Sequence, residues 1–356
     1  MPKLIQIPAL ILTLFLLAGC SQNNATPSAQ GEESCASCHN ELVTGFQATV
    51  HAQADVTCAD CHDNIEAHLQ NASNLPQIEV RGQTCATCHG EEYTQWESSP
   101  HAQIPLDEFP DDPRVMECMK CHQASGFAAV IESGEDFKSA WGPMPTSEPE
   151  PVTCMACHSP HNPRDDKMLR LSKGELCATC HDTKWQNLVL TGTHPEPTQD
   201  YSAFAHHPHN TEEGCALCHM ATTPGADNVG GHTFTMRPAE DGKLNLRACA
   251  ACHDNPDTYN IGGKQTEVEE TLNDLRSALK ERNSGELPGN EPGSCNQCHR
   301  GGTLPFDNDP DLILEKAYEN YQLIDRDKSL GVHNPDYALQ LLQDALEAVE
   351  TQYDKN

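Results

Sequence analysis

Cysteine and histidine recur along this chain in one fixed arrangement. Nine copies of Cys-x-x-Cys-His account for eighteen of the nineteen cysteines in 356 residues. In this spacing two thiols can bond to the two vinyl groups of one porphyrin while the adjacent imidazole binds its iron, which is the pattern of c-type haem attachment. A zinc site would need two cysteine pairs per metal, and a disulfide framework would not require a histidine after each pair. The sequence therefore predicts nine haem c groups.

The histidine count predicts how the irons are coordinated. Ten histidines lie outside the motifs, and two imidazoles on every iron would use nine of them. The predicted sites of covalent attachment are Cys35, Cys38, Cys58, Cys61, Cys85, Cys88, Cys118, Cys121, Cys154, Cys157, Cys177, Cys180, Cys215, Cys218, Cys249, Cys252, Cys295 and Cys298. The predicted proximal iron ligands are His39, His62, His89, His122, His158, His181, His219, His253 and His299. The predicted distal ligands are His51, His68, His101, His161, His194, His206, His209, His232 and His333, with His207 left over.

The spacing of some distal candidates indicates how they are used. His51 follows the first motif and His101 the third at the same interval, and each opens a His-Ala-Gln triplet five residues after an aromatic side chain. This similarity indicates a duplicated two-haem module, in which a short helix packs its aromatic ring on a porphyrin. His161 lies only three residues past a motif histidine, so we expect it to serve a neighbouring haem. Methionine ligation, by Met220 or Met236, remains an alternative.

The amino-terminal residues are typical of an exported lipoprotein. Lys3 precedes an apolar run over 4–18, which ends in Leu-Ala-Gly-Cys20 and resembles a bacterial lipobox. We predict a signal peptide over 1–19, lipidation of Cys20 and a polar tether over 20–34. The residue after Cys20 is Ser rather than Asp, which favours the outer membrane, on either its periplasmic or its cell-surface side. An ordinary signal peptide with an incidental cysteine remains an alternative, and export is expected in either case because bacterial haem c is attached outside the cytoplasm.

Composition restricts the fold and the partners. The formal net charge is −31, which excludes nucleic acid as a natural partner. Aromatic residues make up 5% of the chain, and 25 prolines and 23 glycines interrupt it. We therefore expect a mainly α fold with extensive irregular coil, wrapped around a nine-haem array. Eight motifs fall in a region over 35–262, and the ninth falls in a carboxy-terminal region over 263–356.

The carboxy-terminal region has the pattern of amphipathic helices. Val268, Leu272, Leu275 and Leu279 recur at helical spacing, and a similar pattern follows residue 337. Asp-Pro at 309–310 and Asn-Pro at 334–335 place a capping residue before a proline, so helices should begin near 310 and 335. These helices either pack against one another as a lid or form an oligomer interface.

The segment Asp-Lys-Ser-Leu-Gly-Val-His-Asn-Pro over 327–335 is similar to the terminal segment of octahaem hydroxylamine oxidoreductases and pentahaem nitrite reductases. This resemblance implies that His333 is a distal ligand and that residues 310–353 contribute to subunit contacts. The chain differs from that group in the residues that leave one haem iron open to substrate. Nitrite reductases carry one motif that ends in Lys, and none of the nine motifs here does. Hydroxylamine oxidoreductases leave one iron without a distal protein ligand, whereas this chain has enough histidines for all nine.

Two functions remain open. The first is an electron-transfer conduit at the outer membrane, with no catalytic residue, that exchanges electrons with other cytochromes or redox proteins and with an acceptor such as a metal oxide. The second is a reductase of a small nitrogen or sulfur compound with one open iron. Its candidate residues are the free histidine among His206, His207 and His209, and Arg237 as an anion-binding group. The expected partners also include the membrane, through the lipid anchor, and a homo-oligomer or a complex with outer-membrane proteins.

Overall fold

The structure is a computed structural model. It describes residues 27–76, 82–103, 115–137, 140, 150–165, 167–181, 185–193, 201–226, 228–238, 243–288 and 310–352. The predicted signal peptide, Cys20, His194 and the ninth motif with Cys295, Cys298 and His299 lie outside these residues. Eight of the nine motifs are described.

Short helices joined by irregular segments make up most of the described chain, which confirms the predicted mainly α fold with extensive coil. The helices are α1 Pro27–Gln47, α2 Val50–Gln53, α3 Ile65–Gln70, α4 Gln83–Ala86, α5 Gly90–Glu97, α6 Val115–His122, α7 Ala124–Ser133, α8 Cys154–Cys157, α9 Lys173–His181, α10 Trp185–Thr191, α11 Ala216–His219, α12 Lys264–Arg282, α13 Pro310–Asp327 and α14 Pro335–Glu347. Extended structure in the described residues is limited to two isolated bridges, His158 with Leu169 and Thr223 with Ala226. No helix in the described ranges is long and apolar enough to cross a bilayer.

One helical turn recurs at the motifs. In five of them the backbone N–H of the histidine donates to the carbonyl of the first cysteine, at 2.9 Å in each case: His62, His89, His158, His219 and His253. Positions i, i+3 and i+4 of such a turn lie on one side of the helix. The turn therefore presents both thiols and the imidazole to the same side, as one porphyrin requires.

The three long helices α12, α13 and α14 pack together and bury the main hydrophobic core. Val268, Leu275 and Leu279 of α12 are fully buried, and Leu272 is 5% exposed, which confirms the predicted apolar face. Helix α14 begins at Pro335. The side chain of Asn334, just before it, accepts from the backbone N–H of Tyr337, the third residue of the helix, at 3.3 Å. Helix α13 begins at Pro310, as predicted.

This core extends beyond the region over 263–356. Val189 of α10 and Tyr201 belong to the same cluster of buried side chains, and the Tyr201 hydroxyl donates to Asp344 of α14 at 2.9 Å. A second, smaller cluster surrounds Phe127 and Leu169. Helix α10 packs against α13. The helical bundle is therefore continuous with the segment that precedes the seventh motif.

Candidate functional site

The structure brings predicted proximal and distal histidines together in seven opposed pairs. We number the sites 1 to 9 in the order of their motifs. From site 1 onwards the pairs are His39 with His68, His62 with His161, His89 with His51, His158 with His232, His181 with His101, His219 with His333 and His253 with His209, which belong to sites 1, 2, 3, 5, 6, 7 and 8. Their ring centroids are 6.0 to 6.4 Å apart. Each pair contains one motif histidine and one histidine from elsewhere.

The spacing of these pairs fits an ion between the two rings. Metal–nitrogen distances to imidazole are about 2 Å, so one iron with two opposed imidazoles holds the ring centroids about 6 Å apart. Direct ring stacking would bring the centroids closer, and a hydrogen bond between the rings would not recur with one motif histidine every time. The seven pairs therefore have the separation that axial coordination of haem iron requires.

Each distal imidazole comes from a segment that belongs to another site. His68 of site 1 follows the second motif, and His161 of site 2 follows the fifth. His51 of site 3 follows the first motif, and His232 of site 5 follows the seventh. His333 of site 7 lies past the ninth motif. The pairing of imidazoles is therefore crossed between sites, in agreement with the expectation that His161 serves a neighbouring site.

The ring orientation of several paired imidazoles is fixed by an acceptor at Nδ1. The acceptors are the carbonyl oxygens of Asn74 for His68 at 3.0 Å, Lys167 for His158 at 2.8 Å, Val332 for His209 at 2.6 Å and Phe234 for His219 at 2.9 Å, and the carboxylate of Asp327 for His333 at 2.5 Å. An Nδ1–H donated in this way leaves Nε2 as the lone pair that can bind a metal.

Burial favours the metal-binding form of seven of the fourteen paired imidazoles. Burial, with a contribution from neighbouring His181, lowers the pKa of His101 to about 4. Burial also lowers the pKa values of His51, His62, His158, His161, His219 and His232. Burial lowers the pKa of His333 too, but the hydrogen bond and charge of Asp327 outweigh it and the net shift is upward. A neutral imidazole is the metal-binding form, so the seven imidazoles with lowered pKa values are prepared to act as ligands near neutral pH.

Sulfur contacts identify neighbouring sites. The Cys177 thiol of site 6 hydrogen-bonds with Cys215 of site 7, and the Cys180 thiol of site 6 with Cys121 of site 4. Thiols or imidazoles also interact electrostatically between sites 2 and 3, sites 3 and 5, sites 5 and 6, and sites 7 and 8. Sites 2 to 8 therefore form one connected set, in which site 6 has a thiol against each of two neighbours.

Exposed apolar side chains in the described residues test whether a porphyrin fits. The large apolar side chains that are more than a third exposed are Leu42, Val50, Leu69, Leu75 and Leu217. All but Leu75 lie within three residues of a cysteine or histidine of a site, and Leu75 follows the residue whose carbonyl holds His68. Exposed apolar groups concentrated beside ligands are surfaces that a bound porphyrin would cover. The thiols, the imidazole pairs and these apolar surfaces together fit haem c.

The sequence repeat around His51 and His101 is also a structural repeat. The N–H of Thr49 donates to the carbonyl of Phe46 at 2.9 Å, and that of Ser99 to the carbonyl of Trp96 at 2.8 Å. Thr49 is 2% exposed and Ser99 is fully buried. Trp96 is anchored by its indole N–H, which donates to the Val152 carbonyl at 2.8 Å. Both copies end their helix with the same buried turn, which delivers the histidine two residues later.

Arg170 places a buried positive charge beside two sites. Its side chain is 6% exposed and pairs with Glu132 at 2.5 Å, and its Nε donates to the Met155 carbonyl at 2.8 Å. The guanidinium acts electrostatically on His158 of site 5 and His161 of site 2, lowering the pKa of both after the larger effect of burial. The residue types alone did not single out Arg170 or Asp327, since neither belongs to a motif.

Some predicted ligands lie apart from the seven pairs. His206 is exposed and is not among the paired imidazoles. His207 contacts His209 edge to face at 4.8 Å, and its Nδ1 accepts from the His209 backbone N–H at 3.2 Å. His209 itself faces His253, so it does not serve as the free histidine of a reductase site. The Met236 sulfur accepts from the Asn245 side chain at 3.8 Å.

Two solved structures share this fold. The first is titled Crystal Structure of Outer Cell Wall Cytochrome OcwA, with a TM-score of 0.55 and 19% sequence identity over 83% of this chain and 70% of that chain. The second is the undecahaem cytochrome from the S-layer of Carboxydothermus ferrireducens, with a TM-score of 0.52 and 19% identity. That match covers 83% of this chain but only half of the undecahaem protein. No curated protein matches the chain.

Family comparisons agree with the ligand geometry. A family described as a doubled CXXCH motif matches residues 145–186, which contain the fifth and sixth motifs. A second family matches residues 44–123 and 202–304, together just over half of the chain. Neither comparison extends the resemblance of residues 327–335 to the hydroxylamine oxidoreductase group, so that resemblance stays a prediction. The chain belongs to the family of cytochrome c7 and related cytochromes c, and it binds haem c as a multihaem cytochrome.

Proposed function

We propose that this protein is an electron-transfer conduit with nine haem c groups, each held by the two cysteines of a motif and coordinated by two imidazoles. The observation that carries the proposal is the set of seven opposed pairs, each with one motif histidine and one distant histidine. Haem c supplies reversible one-electron chemistry at these positions. An iron with two strong protein ligands has no position for a substrate, so at these sites the protein only spaces, orients and tunes the redox centres.

The contacts between sites support conduction rather than isolated redox centres. Sites 4, 6 and 7 adjoin one another at their cysteine side chains, and site 8 adjoins site 7. Crossed ligation adds a second link, because a distal histidine joins site 1 to the segment that carries site 2. Close neighbours of this kind favour electron hopping without any bond being made or broken.

The place of action that we propose is the cell exterior, with anchoring to the outer membrane through lipidated Cys20. The lipobox-like ending of the amino-terminal apolar run supports the anchor. Two proteins of the same fold are named for an outer cell wall and an S-layer, which supports a surface location. The proposed partners are other redox proteins and an extracellular acceptor such as a metal oxide.

The proposal is tested by counting haems and open irons. Intact mass of the exported protein should equal the chain plus nine haems, and electron paramagnetic resonance of the oxidised protein should contain only low-spin signals. The reduced protein should not bind carbon monoxide, and it should be reoxidised by ferric oxide particles. Binding of carbon monoxide to one iron, together with turnover of nitrite or hydroxylamine, would replace the conduit by the reductase alternative.

A further inference from the structure

Asp327 is the last residue of helix α13, and its carboxylate is directed at the distal imidazole of site 7. The Nδ1–H of His333 donates to Asp327 Oδ1 at 2.5 Å, and the Asp327 side chain is completely buried. The second carboxylate oxygen accepts from the Ser329 hydroxyl and from the Ser329 backbone N–H at 3.3 Å. The Ser329 oxygen in turn accepts from the backbone N–H of His333 at 3.3 Å.

The loop between α13 and α14 is shaped to make this contact. Lys328, Leu330 and Gly331 have positive φ angles of 61°, 51° and 83°, which turn the chain back on itself within seven residues. A side chain at Gly331 would lie 2.8 Å from a methyl group of Val268, so glycine is required there for space as well as for conformation. Backbone strain of this kind in a short loop suggests that the loop has a specific task.

Four other paired imidazoles donate Nδ1–H to backbone carbonyls. One of them is His219 of the same site, which donates to the Phe234 carbonyl at 2.9 Å. His89 of site 3 lies 4.0 Å from the exposed carboxylate of Glu92, which is too far for a hydrogen bond. At site 7 the acceptor of His333 is instead a carboxylate, which carries a full negative charge.

A carboxylate acceptor changes the electronic properties of the imidazole that it holds. It withdraws the Nδ1 proton from the ring, makes Nε2 a stronger donor and stabilises the more positive oxidation state of a bound metal. A backbone carbonyl is a neutral acceptor and does this less. Because Asp327 is buried, its charge is screened little by solvent.

We propose that Asp327, acting through His333, lowers the reduction potential of site 7. This inference rests on the proposed conduit. Site 7 lies between site 6, which it meets through Cys215 and Cys177, and site 8, which faces it through Cys218. An electron that passes between sites 6 and 8 through site 7 then crosses an iron whose ferric form Asp327 stabilises, with no proton transfer and no bond change.

Two substitutions with opposite expected effects test the role of Asp327. Asp327→Asn removes the charge and should raise the reduction potential of one iron. In a spectroelectrochemical titration, one component should shift to a higher midpoint potential. Ser329→Ala removes a hydrogen bond that competes with His333 for the carboxylate charge. The same component should then shift to a lower midpoint potential. A merely structural role would shift both variants in the same direction.

The matched control is Asp325→Asn on the same helix. Asp325 pairs with Arg276 at 3.5 Å and with Lys328 at 3.4 Å and does not contact a paired imidazole, so this change should leave every potential in place. His333→Ala assigns the site, because the low-spin resonance that it removes should be the one whose g values change in Asp327→Asn. Potentials that are unchanged in Asp327→Asn, or that move alike in Asp327→Asn and Ser329→Ala, would overturn the inference.

The same measurements separate this inference from the proposed function. If the wild-type protein shows a full set of low-spin irons and no carbon monoxide binding, the conduit stands whatever Asp327→Asn does. If Asp327→Asn fails to fold, Asp327→Glu replaces it, because this variant keeps the charge but changes the distance between the carboxylate and His333. The reduction potential of site 7 should then be higher than in the wild type. A Glu variant with the potentials of the wild type would show that this distance does not matter and would count against tuning through His333.

Discussion

Replacing His101 with alanine should open one iron of the protein. His101 faces His181 of site 6 with ring centroids 6.3 Å apart, and its ring also contacts Phe234 edge to face at 4.8 Å. The two thiols of the sixth motif are unaffected, so covalent attachment should persist. We expect a full complement of haem in which site 6 keeps its proximal imidazole and has lost its distal one.

The magnitude follows from the ligand set. The chain has nine motifs, so the loss of one distal ligand should convert one ninth of the haem from low spin to high spin. The reduced variant should bind one molecule of carbon monoxide per chain. The imidazole that is removed is largely buried, with its pKa lowered to about 4, so bulk water does not already compete with it in the wild-type protein.

The assay is a carbon monoxide titration of the dithionite-reduced protein, followed at the Soret band, with electron paramagnetic resonance of the oxidised form. Phe234→Leu is the control, because it removes the ring that contacts His101 but keeps both imidazoles. The control should bind no carbon monoxide. A His101→Ala protein with nine haems, no carbon monoxide binding and an unchanged low-spin signal would refute the assignment of His101 as a ligand.

Four further expectations follow from other features. Arg170→Gln should lower the potentials of two irons by an amount on the order of 1 kcal/mol per electron, because a buried positive charge favours the reduced state; a potentiometric titration measures this. His209→Ala should remove the most anisotropic low-spin resonance, since the ring planes of its pair are 79° apart, the widest angle of the seven pairs. Leu275→Ala should lower the free energy of unfolding of the helical bundle by about 2–5 kcal/mol, against less than about 0.5 kcal/mol for the exposed Asp274→Ala, as measured by denaturant melts of helix content. Cys20→Ala should move the protein from the membrane fraction to the soluble fraction on cell fractionation.

Local sequence was sufficient for the parts of the site that one helical turn determines. The spacing of Cys-x-x-Cys-His predicts which thiols and which imidazole act together, because all of them lie on one turn. The helix starts at Pro310 and Pro335 were predicted for the same reason, since a cap and a proline act within a few residues. The mainly α fold with extensive coil was predicted from the low aromatic content and from the many prolines and glycines.

The pairing of distal ligands could not be read from the sequence. His161 was expected to serve a neighbour, but nothing in its surroundings identifies site 2, whose motif lies far earlier in the chain. Which sites meet depends on tertiary packing around the porphyrins, and this has no local signal. Asp327 belonged to the segment that carried the resemblance, yet its role depends on a loop with three positive φ angles that sequence patterns do not predict.

Crossed pairing of the histidines has a consequence for biosynthesis. Along the chain the distal histidine precedes the motif at sites 3, 6 and 8, whereas at sites 1, 2, 5 and 7 it follows the motif. Site 7 receives its distal histidine last, because His333 lies after every motif in the sequence. A chain that ends before His333 should therefore carry site 7 with its motif imidazole and without its predicted distal imidazole. In such a chain the proposed haem of site 7 should be open to carbon monoxide and to peroxide.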